Sequence, residues 1–304
     1  MSRTILAQRI AEVIERNRRP MRIKEIAQYI PDKPETTIRG RLYTNLEKRF
    51  RRVAKGVYTL LTDEGAAFVL ESDGRDLSVF DDASVDAIIT DHPWEDDNAN
   101  KGRNRNFDGS YRDTSFKYTL EDFKEKARVL KPGGFLVEIL PAENETNFKY
   151  LYELKIMAEE AGLSYYSKVA WKKGDCIFNT GRKSKNTEDV IFFVKGKARS
   201  LRPDKQRDGF MSGTAYMLPT EFDYQPTSPR KRIHQAEKPV ELYEAILEAV
   251  TLPGEIVVDQ FAGSGNLGVA AIRSGRIAVL FEILRENVNK IIDNLRATEM
   301  PLFV

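Results

Sequence analysis

The segment from Glu255 to Glu282 limits the fold of this chain more than any other part of its sequence. The apolar run 256–258 leads into a glycine-rich turn at residues 259–265, and residues 267–272 then have the composition of a helix. A second apolar run, 277–281, ends at Glu282. Strand, glycine-rich turn, helix and strand in this order predict a parallel α/β sheet.

The turn and the residue that ends the second strand together indicate a ligand. Gly263 and Gly265 let the backbone approach a bound molecule closely, and a carboxylate such as Glu282 can hold the two hydroxyls of a ribose. A glycine-rich turn alone is weak support for a nucleotide-type ligand. The strand-end carboxylate, about 20 residues after the turn, makes that interpretation much stronger.

A second buried strand, predicted at residues 85–90, brings a polar segment to its carboxyl end. The residues that follow are Asp91-His92-Pro93-Trp94, which we call segment 91–94. Ligand sites in open α/β sheets form beyond the carboxyl ends of the strands. We therefore expect segment 91–94 to lie at the same edge of the sheet as the glycine-rich turn.

The turn sequence Asp-x-Phe-Ala-Gly-Ser-Gly closely resembles the S-adenosylmethionine-binding motif of the DNA amino-methyltransferases, and it differs from the dinucleotide fingerprint G-x-G-x-x-G. Residues 234–242 resemble the family's other cofactor motif, in which Lys-Pro opens a helix. The resemblance implies S-adenosylmethionine as the cofactor. The residues that it assigns to cofactor binding are Asp259, Phe261, Ala262, Gly263, Ser264, Gly265, Glu282, His234, Lys238 and Pro239.

Segment 91–94 resembles the catalytic Asp-Pro-Pro-Tyr of the same family. In that motif the carboxylate and the following carbonyl accept hydrogen bonds from the target amine, and the aromatic ring stacks on a flipped base. The resemblance makes Asp91 and the His92 carbonyl the acceptors and Trp94 the stacking ring, while Pro93 restrains the backbone of His92. His92 replaces the family's first proline. We favour a loop histidine with satisfied polar atoms over a proton shuttle.

The order of the two motifs predicts a circular permutation. Segment 91–94 precedes the turn, and one helix, with apolar residues between 288 and 295, follows Glu282. The next strand can then be supplied by residues 67–71, with Asp73 at its end as a further cofactor-binding residue. The resemblance, which covers residues 67–304, implies a circularly permuted Rossmann-like α/β sheet with helices on both faces, as in the β group of DNA amino-methyltransferases.

Residues 1–62 predict a separate basic module. The first 60 residues carry 15 Lys and Arg against six Asp and Glu, so the remaining residues sum to −7. Apolar spacing predicts helices near residues 5–14, 23–30 and 36–50 and a hairpin at 53–60, which resembles a winged helix-turn-helix whose third helix enters the major groove. A module for dimerisation or protein contact is the alternative. The expected DNA contacts are Arg39, Arg41, Lys48, Arg49, Arg51, Arg52 and Lys55.

Residues 63–304 form the expected methyltransferase domain. The polar residues 95–115 predict a mobile loop over the target base. The further predictions for this domain are a helix at 116–130, a turn at 131–134, a strand at 135–140, and a late strand pair at 169–172 and 189–194. Residues 195–232 carry nine basic and four acidic residues. They stand in the place of the family's target-recognition region (195–233), so Arg230, Lys231 and Arg232 join the expected DNA contacts.

The predicted activity is methylation of the N6 amine of adenine in double-stranded DNA with one base flipped out. An Asp rather than a Ser at position 91 favours adenine over the N4 amine of cytosine. RNA methylation and a non-catalytic DNA-binding regulator are further alternatives. Carbon-5 cytosine methylation needs a cysteine nucleophile, and Cys176 lies far in sequence from segment 91–94. His92 and His234 show no metal-ligand spacing, so no metal is expected.

The composition predicts a cytoplasmic protein with no membrane partner. The sequence contains no apolar run of about 18 residues and no signal-peptide pattern, and one cysteine fits a reducing compartment. The recognition sequence, homodimer formation and pairing with a restriction enzyme are left open by the sequence.

Overall fold

The computed structural model describes residues 3–62, 64–93, 115–174, 179–180, 183–184, 186–202, 212–228, 232 and 237–299. Its helices are α1 (Arg3–Asn17), α2 (Ile23–Tyr29), α3 (Glu35–Thr44), α4 (Leu120–Val129), α5 (Phe148–Glu160), α6 (Val240–Val250), α7 (Asn266–Arg273) and α8 (Arg285–Glu299). Its strands are β1 (Met21–Arg22), β2 (Phe50–Ala54), β3 (Val57–Leu60), β4 (Ala66–Glu71), β5 (Val85–Thr90), β6 (Leu130–Pro141), β7 (Leu163–Lys172), β8 (Asn179–Thr180), β9 (Lys183–Ser184), β10 (Thr187–Lys195), β11 (Glu221–Asp223), β12 (Ile256–Asp259) and β13 (Ile277–Glu282).

The central sheet has eight strands in the order β11-β7-β10-β6-β5-β12-β13-β4. Its neighbours run parallel except for β10, which is antiparallel to both β6 and β7. Strand β13 therefore lies between β12 and β4, with Ile277 opposite Ala66. This is the circular permutation that the sequence predicted, because the strand beside β13 comes from the early part of the chain.

Helices cover both faces of this sheet, as the alternation of side chains along its strands requires. One face carries Ala87 and Ile89 and packs against α6, α7 and α8. The opposite face carries Ile88 and packs against α4 and α5. The central strands β5, β12 and β13 are consequently buried on both sides, whereas several side chains of β7 are exposed. No helix among the described residues is long and apolar enough to cross a membrane.

The first 60 residues form three helices and a small antiparallel sheet in the order β1-β3-β2. These elements enclose a core of their own, which includes Ile10, Ile38 and Phe50. The β2–β3 hairpin also faces the larger body, because Val53, Ala54 and Val57 belong to the core of the α4–α5 face. The hairpin is therefore shared between two cores, which joins this part of the chain to the body.

The third helix is shorter than the sequence predicted. It ends at Thr44 rather than near Phe50, which instead begins β2. The side-chain amide of Asn45 donates to the Arg41 carbonyl at 2.8 Å, and Glu47 has a left-handed φ of 53°. A left-handed residue cannot continue a right-handed helix, so the chain turns here. Apolar spacing does not report that turn.

Two predictions around α4 and β6 also need correction. The helix predicted at 116–130 begins only at Leu120, because Thr119 caps it through a capping box with Asp122. The predicted turn at residues 131–134 is instead an irregular part of β6, where Gly133 has a φ of 79°. The late strand pair is present as β7 and β10, while α5 and β11 were not predicted.

Candidate active site

Four acidic side chains lie at the carboxyl ends of four neighbouring parallel strands. In sheet order these strands are β4, β13, β12 and β5. The acidic residues, which we call the carboxylate edge, are Asp73, Glu282, Asp259 and Asp91. All four were singled out in the sequence, and the sheet brings them to one edge because its parallel strands end on the same side.

Segment 91–94 and the cofactor turn (residues 259–265) are adjacent at this edge. Strands β5 and β12 pair directly, with Val258 opposite Ile88. The Thr90 hydroxyl donates to Asp259 Oδ1 at 3.0 Å, and the Phe261 N–H donates to the same oxygen at 3.0 Å. Burial raises the pKa of Asp259 to about 7, although both of these hydrogen bonds oppose the rise.

The conformation of the cofactor turn depends on its glycines and on a hydrogen bond to Glu282. Gly265 has a φ of 77°, and a Cβ at this position would lie 2.6 Å from Ile291 Cγ2, so a larger residue would not fit there. The Gly263 N–H donates to Glu282 Oε2 at 3.2 Å. The Gln260 amide donates to the Gly74 carbonyl at 2.7 Å, which ties the segment containing Asp73 to the turn.

Lys238, assigned to cofactor binding by the resemblance, contacts the proposed catalytic carboxylate. Its ammonium donates to Asp91 Oδ2 and lies 3.5 Å from Glu188 Oε2. Pro239 caps the start of α6, and the Asn266 amide donates to the Lys238 carbonyl at 2.8 Å. The Lys-Pro segment is thereby fixed between the cofactor turn and Asp91.

The charge on Asp91 depends on this lysine. Burial raises the pKa of Asp91, while the neighbouring Lys238 ammonium lowers it and the Glu188 carboxylate raises it further. The net pKa lies above the ordinary value for an aspartate. Lys238 is thus the main group that favours the ionised form of Asp91 in a buried environment.

His92 lies in a buried polar group that the sequence did not predict. Its side chain is 0% exposed, and its Nε2 lies 2.6 Å from the Tyr150 hydroxyl oxygen. Its Nδ1 lies 3.7 Å from Glu138 Oε2, and the other Glu138 oxygen accepts a hydrogen bond from Lys126. The one available signal was the charge of Glu138 within the apolar run of β6.

Aromatic rings connect His92 to the cofactor turn. The His92 ring centroid lies 4.2 Å from that of Tyr118 and 5.7 Å from that of Phe116. Phe116 in turn contacts the Phe261 ring at 5.4 Å, and its N–H donates to the Pro93 carbonyl at 3.0 Å. The extended residues before α4 therefore bridge the two motifs.

Several expected site residues lie outside the described residues. These are Trp94, His234, Arg230, Lys231 and almost all of the loop 95–115. Cys176 also lies outside them. Arg232 is described, and its Nε donates to the Thr227 carbonyl at 2.7 Å. Within the described part of the chain, no group of three or more His, Cys, Asp and Glu could hold a metal ion.

The expected DNA-contacting residues among the first 60 fall into two groups: some lie on the small module itself, and others contact the larger body. Arg39 and Lys48 are exposed, whereas Arg41 is half-buried. Arg49 donates to Gln8, and Arg51 lies 3.8 Å from Glu47. In contrast, Arg52 pairs with Asp81 at 2.8 Å, and Lys55 Nζ donates to the Ser78 carbonyl at 2.6 Å. The last two are engaged with the body because the hairpin packs there.

The carboxylate edge fits the chemistry of S-adenosylmethionine. That molecule carries a positive sulfonium, an ammonium group and two ribose hydroxyls, and carboxylates bind all three kinds of group. Burial raises the pKa of Asp259, and a cationic ligand beside this carboxyl would favour its ionised form. The sheet and its edge together define an α/β methyltransferase with a permuted order of motifs.

Comparison with known proteins assigns the chain to a family. The family model described as DNA methylase matches residues 85–293. The type II methyltransferase M.HpaI of Haemophilus parainfluenzae is 26% identical over 223 residues, which are 70% of this chain and 68% of that protein. The chain belongs to the N6/N4 DNA methylase family, and it is an S-adenosylmethionine-dependent DNA methyltransferase.

Solved structures of similar proteins share the fold. TTHA0409 of Thermus thermophilus, in complex with S-adenosyl-L-methionine, is 20% identical with a TM-score of 0.55, covering 78% of this chain and 96% of that one. The PvuII DNA methyltransferase, which is cytosine-N4-specific, is 18% identical with a TM-score of 0.56, covering 78% of this chain and 88% of that one. At these identities the likeness extends to the fold and not to the target base.

The raised pKa of Asp259 predicts that its replacement by asparagine increases the stability of the fold, and that this increase depends on pH. A carboxyl whose pKa is higher in the folded than in the unfolded protein destabilises the fold as pH rises, here between about 4 and about 7. Asp259→Asn keeps the acceptor oxygen and removes the charge. We expect a higher melting temperature than the parent at pH 8 and a clearly smaller increase at pH 5, measured by calorimetry without cofactor.

Asp76→Asn is the control of opposite sign for this prediction. Hydrogen bonds from Ser78 lower the pKa of the exposed Asp76, so its ionised form stabilises the fold above the ordinary aspartate range. Its replacement should lower the melting temperature slightly at pH 8 and not raise it. A gain for Asp259→Asn that is the same at pH 5 and pH 8 would contradict the assignment of a buried, charge-sensitive carboxyl.

Proposed function

We propose that this chain transfers a methyl group from S-adenosylmethionine to the N6 amine of adenine in double-stranded DNA, with the target base flipped out. The observation that carries the proposal is the place of Asp91, at the end of β5 and beside the cofactor turn that follows β12. An aspartate at this position supports adenine rather than cytosine, by resemblance to the family motif. Cytosine N4 is the alternative target.

The proposed mechanism uses acceptors and no enzyme nucleophile. When bound, S-adenosylmethionine would supply a methyl group on a positively charged sulfur, which would leave as a neutral thioether while the methylated amine gives up one proton. The Asp91 carboxylate and the His92 carbonyl accept hydrogen bonds from the two N–H groups of the target amine. These hydrogen bonds orient the lone pair of the amine nitrogen towards the methyl group. The Asp91 charge also stabilises the positive charge that develops on the nitrogen. Trp94 would stack on the flipped base, whose unstacking costs a few kcal/mol.

Lys238 has a role in this proposal that the family motif alone does not give. A protonated Asp91 would lose its charge and one acceptor site, and burial favours that form. The Lys238 ammonium opposes protonation, and Glu188 holds Lys238 from the other side at 3.5 Å. Lys238 therefore favours the ionised form of Asp91, which is the form that this mechanism requires.

The target base is tested directly by analysis of methylated DNA. The chain is expressed in a host that lacks DNA methyltransferases, and its genomic DNA is digested and analysed by mass spectrometry, with long-read sequencing to locate the modified positions. We expect N6-methyladenine at a defined sequence. N4-methylcytosine would establish the alternative target, and DNA binding without any methylated nucleoside would instead support a non-catalytic regulator.

Replacement of Asp91 separates transfer from cofactor binding. Asp91→Ala removes the charged acceptor but leaves the cofactor turn untouched, so we expect kcat to fall by about 10²–10³-fold or more. The dissociation constant of S-adenosylmethionine, measured by calorimetry, should change by less than about threefold, well under one kcal/mol. Genomic DNA from the same host contains every short recognition sequence and serves as substrate. Strong residual transfer would contradict the acceptor role.

Replacement of Lys238 should move the pH dependence of the reaction. Lys238→Met removes the positive charge beside Asp91, so the pKa of that carboxyl rises further. The acid limb of the plot of log kcat/KM against pH should shift to higher pH. Below the new pKa of Asp91, kcat/KM should fall about tenfold for each pH unit, and it should recover at alkaline pH. Lys173→Met is the matched control, because Lys173 pairs with Glu188 and not with Asp91. Equal shifts in both variants would refute the assignment.

The exposed face of α3 supports a second part of the proposal, that the N-terminal module binds the DNA duplex. Thr36, Arg39, Gly40 and Tyr43 are exposed on this helix, and Glu35 is its only acidic residue. A Cβ at Gly40 would meet no atom within 4 Å. A glycine inside an exposed helix is less stable than alanine by up to about 1 kcal/mol. Its use here fits a helix whose backbone closely approaches a partner.

Gly40→Ala therefore tests the DNA-binding face with two opposite expected effects. The substitution should raise the melting temperature of the free protein, because alanine favours the helix and has room. It should weaken binding to duplex DNA at least about fivefold, roughly one kcal/mol, in fluorescence anisotropy, because the added methyl group separates α3 from the groove. Asn289→Ala, at an exposed position of α8, is the control and should leave DNA affinity unchanged. If Gly40→Ala bound duplex DNA with unchanged affinity, the proposed contact between α3 and DNA would be wrong.

A further inference from the structure

Three ionisable side chains are completely buried behind segment 91–94. Lys126 comes from α4, Glu138 from β6 and His92 from the segment itself, and each side chain is 0% exposed. The proposed transfer uses only the backbone carbonyl of His92 and neither of the other two residues. Buried charges destabilise a fold strongly unless they are paired and hydrogen-bonded, so this group needs an explanation.

One hydrogen bond and one longer polar contact hold the His92 ring, one at each nitrogen. The Tyr118 N–H donates to the Tyr150 hydroxyl oxygen at 3.4 Å, and the same oxygen lies 2.6 Å from His92 Nε2, with the donor of that pair set by the ring tautomer. His92 Nδ1 faces Glu138 Oε2 at 3.7 Å, which is longer than a hydrogen bond. Both ring nitrogens are thus directed at a fixed partner.

The partners of His92 are themselves held in place. Lys126 donates to Glu138 and also lies 3.7 Å from the centroid of the Tyr118 ring. Burial would raise the pKa of Glu138, but Lys126 and His92 together bring it below its ordinary value, so the carboxylate stays ionised. Tyr118 covers one face of the His92 ring at 4.2 Å. The ring therefore sits in a rigid environment built from α4, β6 and α5.

The backbone of residue 92 gains from this anchoring in a particular way. A proline in its place would fix its own φ by covalent geometry, whereas a histidine leaves that dihedral free. Pro93 restrains the backbone only on the other side of residue 92. An anchored ring can supply the missing restraint. Displacement of a reacting group by about 1 Å lowers rates about 10²-fold, so such a restraint matters for transfer.

We propose that the His92 side chain is a positioning residue: its hydrogen bond to Tyr150 and its buried contact with Glu138 hold the Asp91 carboxylate and the His92 carbonyl in the geometry that accepts the target amine. This inference rests on the acceptor roles given to those two groups under Proposed function. It makes the histidine more than a filled position in the core. The predicted signature is a loss of rate without a loss of cofactor binding.

Tyr150→Phe is the sharpest test, because it removes one hydroxyl and keeps the ring. We expect kcat per cofactor-binding site to fall about five- to tenfold, the effect of losing one orienting hydrogen bond. The dissociation constant of S-adenosylmethionine should stay within about twofold, and the melting temperature should fall by no more than a few degrees. Tyr152→Phe, two residues along the same helix and 55% exposed, is the matched control and should leave kcat unchanged.

A second variant keeps the test decisive if Tyr150→Phe folds poorly. His92→Gln retains a donor and an acceptor on a flexible side chain, and it should lose more rate than Tyr150→Phe at an unchanged cofactor dissociation constant. Equal kcat in the Tyr150→Phe and Tyr152→Phe proteins, or full kcat in His92→Gln, would overturn the inference. Suppose that the Tyr150 and His92 variants keep full activity. If Asp91→Ala also keeps its activity, the acceptor mechanism itself is wrong. If Asp91→Ala loses its activity, only the positioning role of His92 is wrong.

Discussion

The parallel pairing of β5 with β12 is the constraint on which the rest of the site depends. It places Ile88 opposite Val258, and so it brings Thr90 within hydrogen-bonding distance of Asp259 at the carboxyl ends of both strands. A shift of one residue in this register would turn every side chain of one strand to the other face of the sheet. Segment 91–94 and the cofactor turn would then no longer share one edge.

Carboxylates at such an edge require cations, and the fold supplies them from separate elements. Lys238, just before α6, lies between Asp91 and Glu188, while Lys126 of α4 pairs with Glu138 on the other side of segment 91–94. Each lysine is buried, so its charge acts at short range with little screening. Asp259 instead accepts only neutral donors among the described residues, from Thr90 and Phe261, and burial raises its pKa to about 7. Asp259 can therefore accept a positively charged group of a ligand, whereas the charge of Asp91 is already balanced by Lys238.

Much of this arrangement could be predicted from the sequence, because it is encoded in local patterns. The glycine-rich turn, the apolar runs and the acidic residues that end them indicated the strands, their common edge and the permuted order. The pairing of Lys238 with Asp91 could not be found in this way, since 147 positions separate the two residues. Likewise, the buried position of Lys126 depends on how α4 packs, and a lysine in a helix ordinarily indicates an exposed face. The early end of α3 depends on the backbone at Glu47, which apolar spacing does not record.

The pairing of β4 with β13 has a consequence for how the protein forms. Residues near position 66 find their hydrogen-bonding partners only near position 277, so the outer part of the sheet closes a very long loop. Contacts of such separation form slowly, because the entropy of loop closure must be overcome before they stabilise the chain. During synthesis β4 leaves the ribosome with its edge unpaired and must wait for β13. The carboxylate edge should accordingly be among the last parts of the protein to assemble, well after the small helical unit around Ile10 and Ile38.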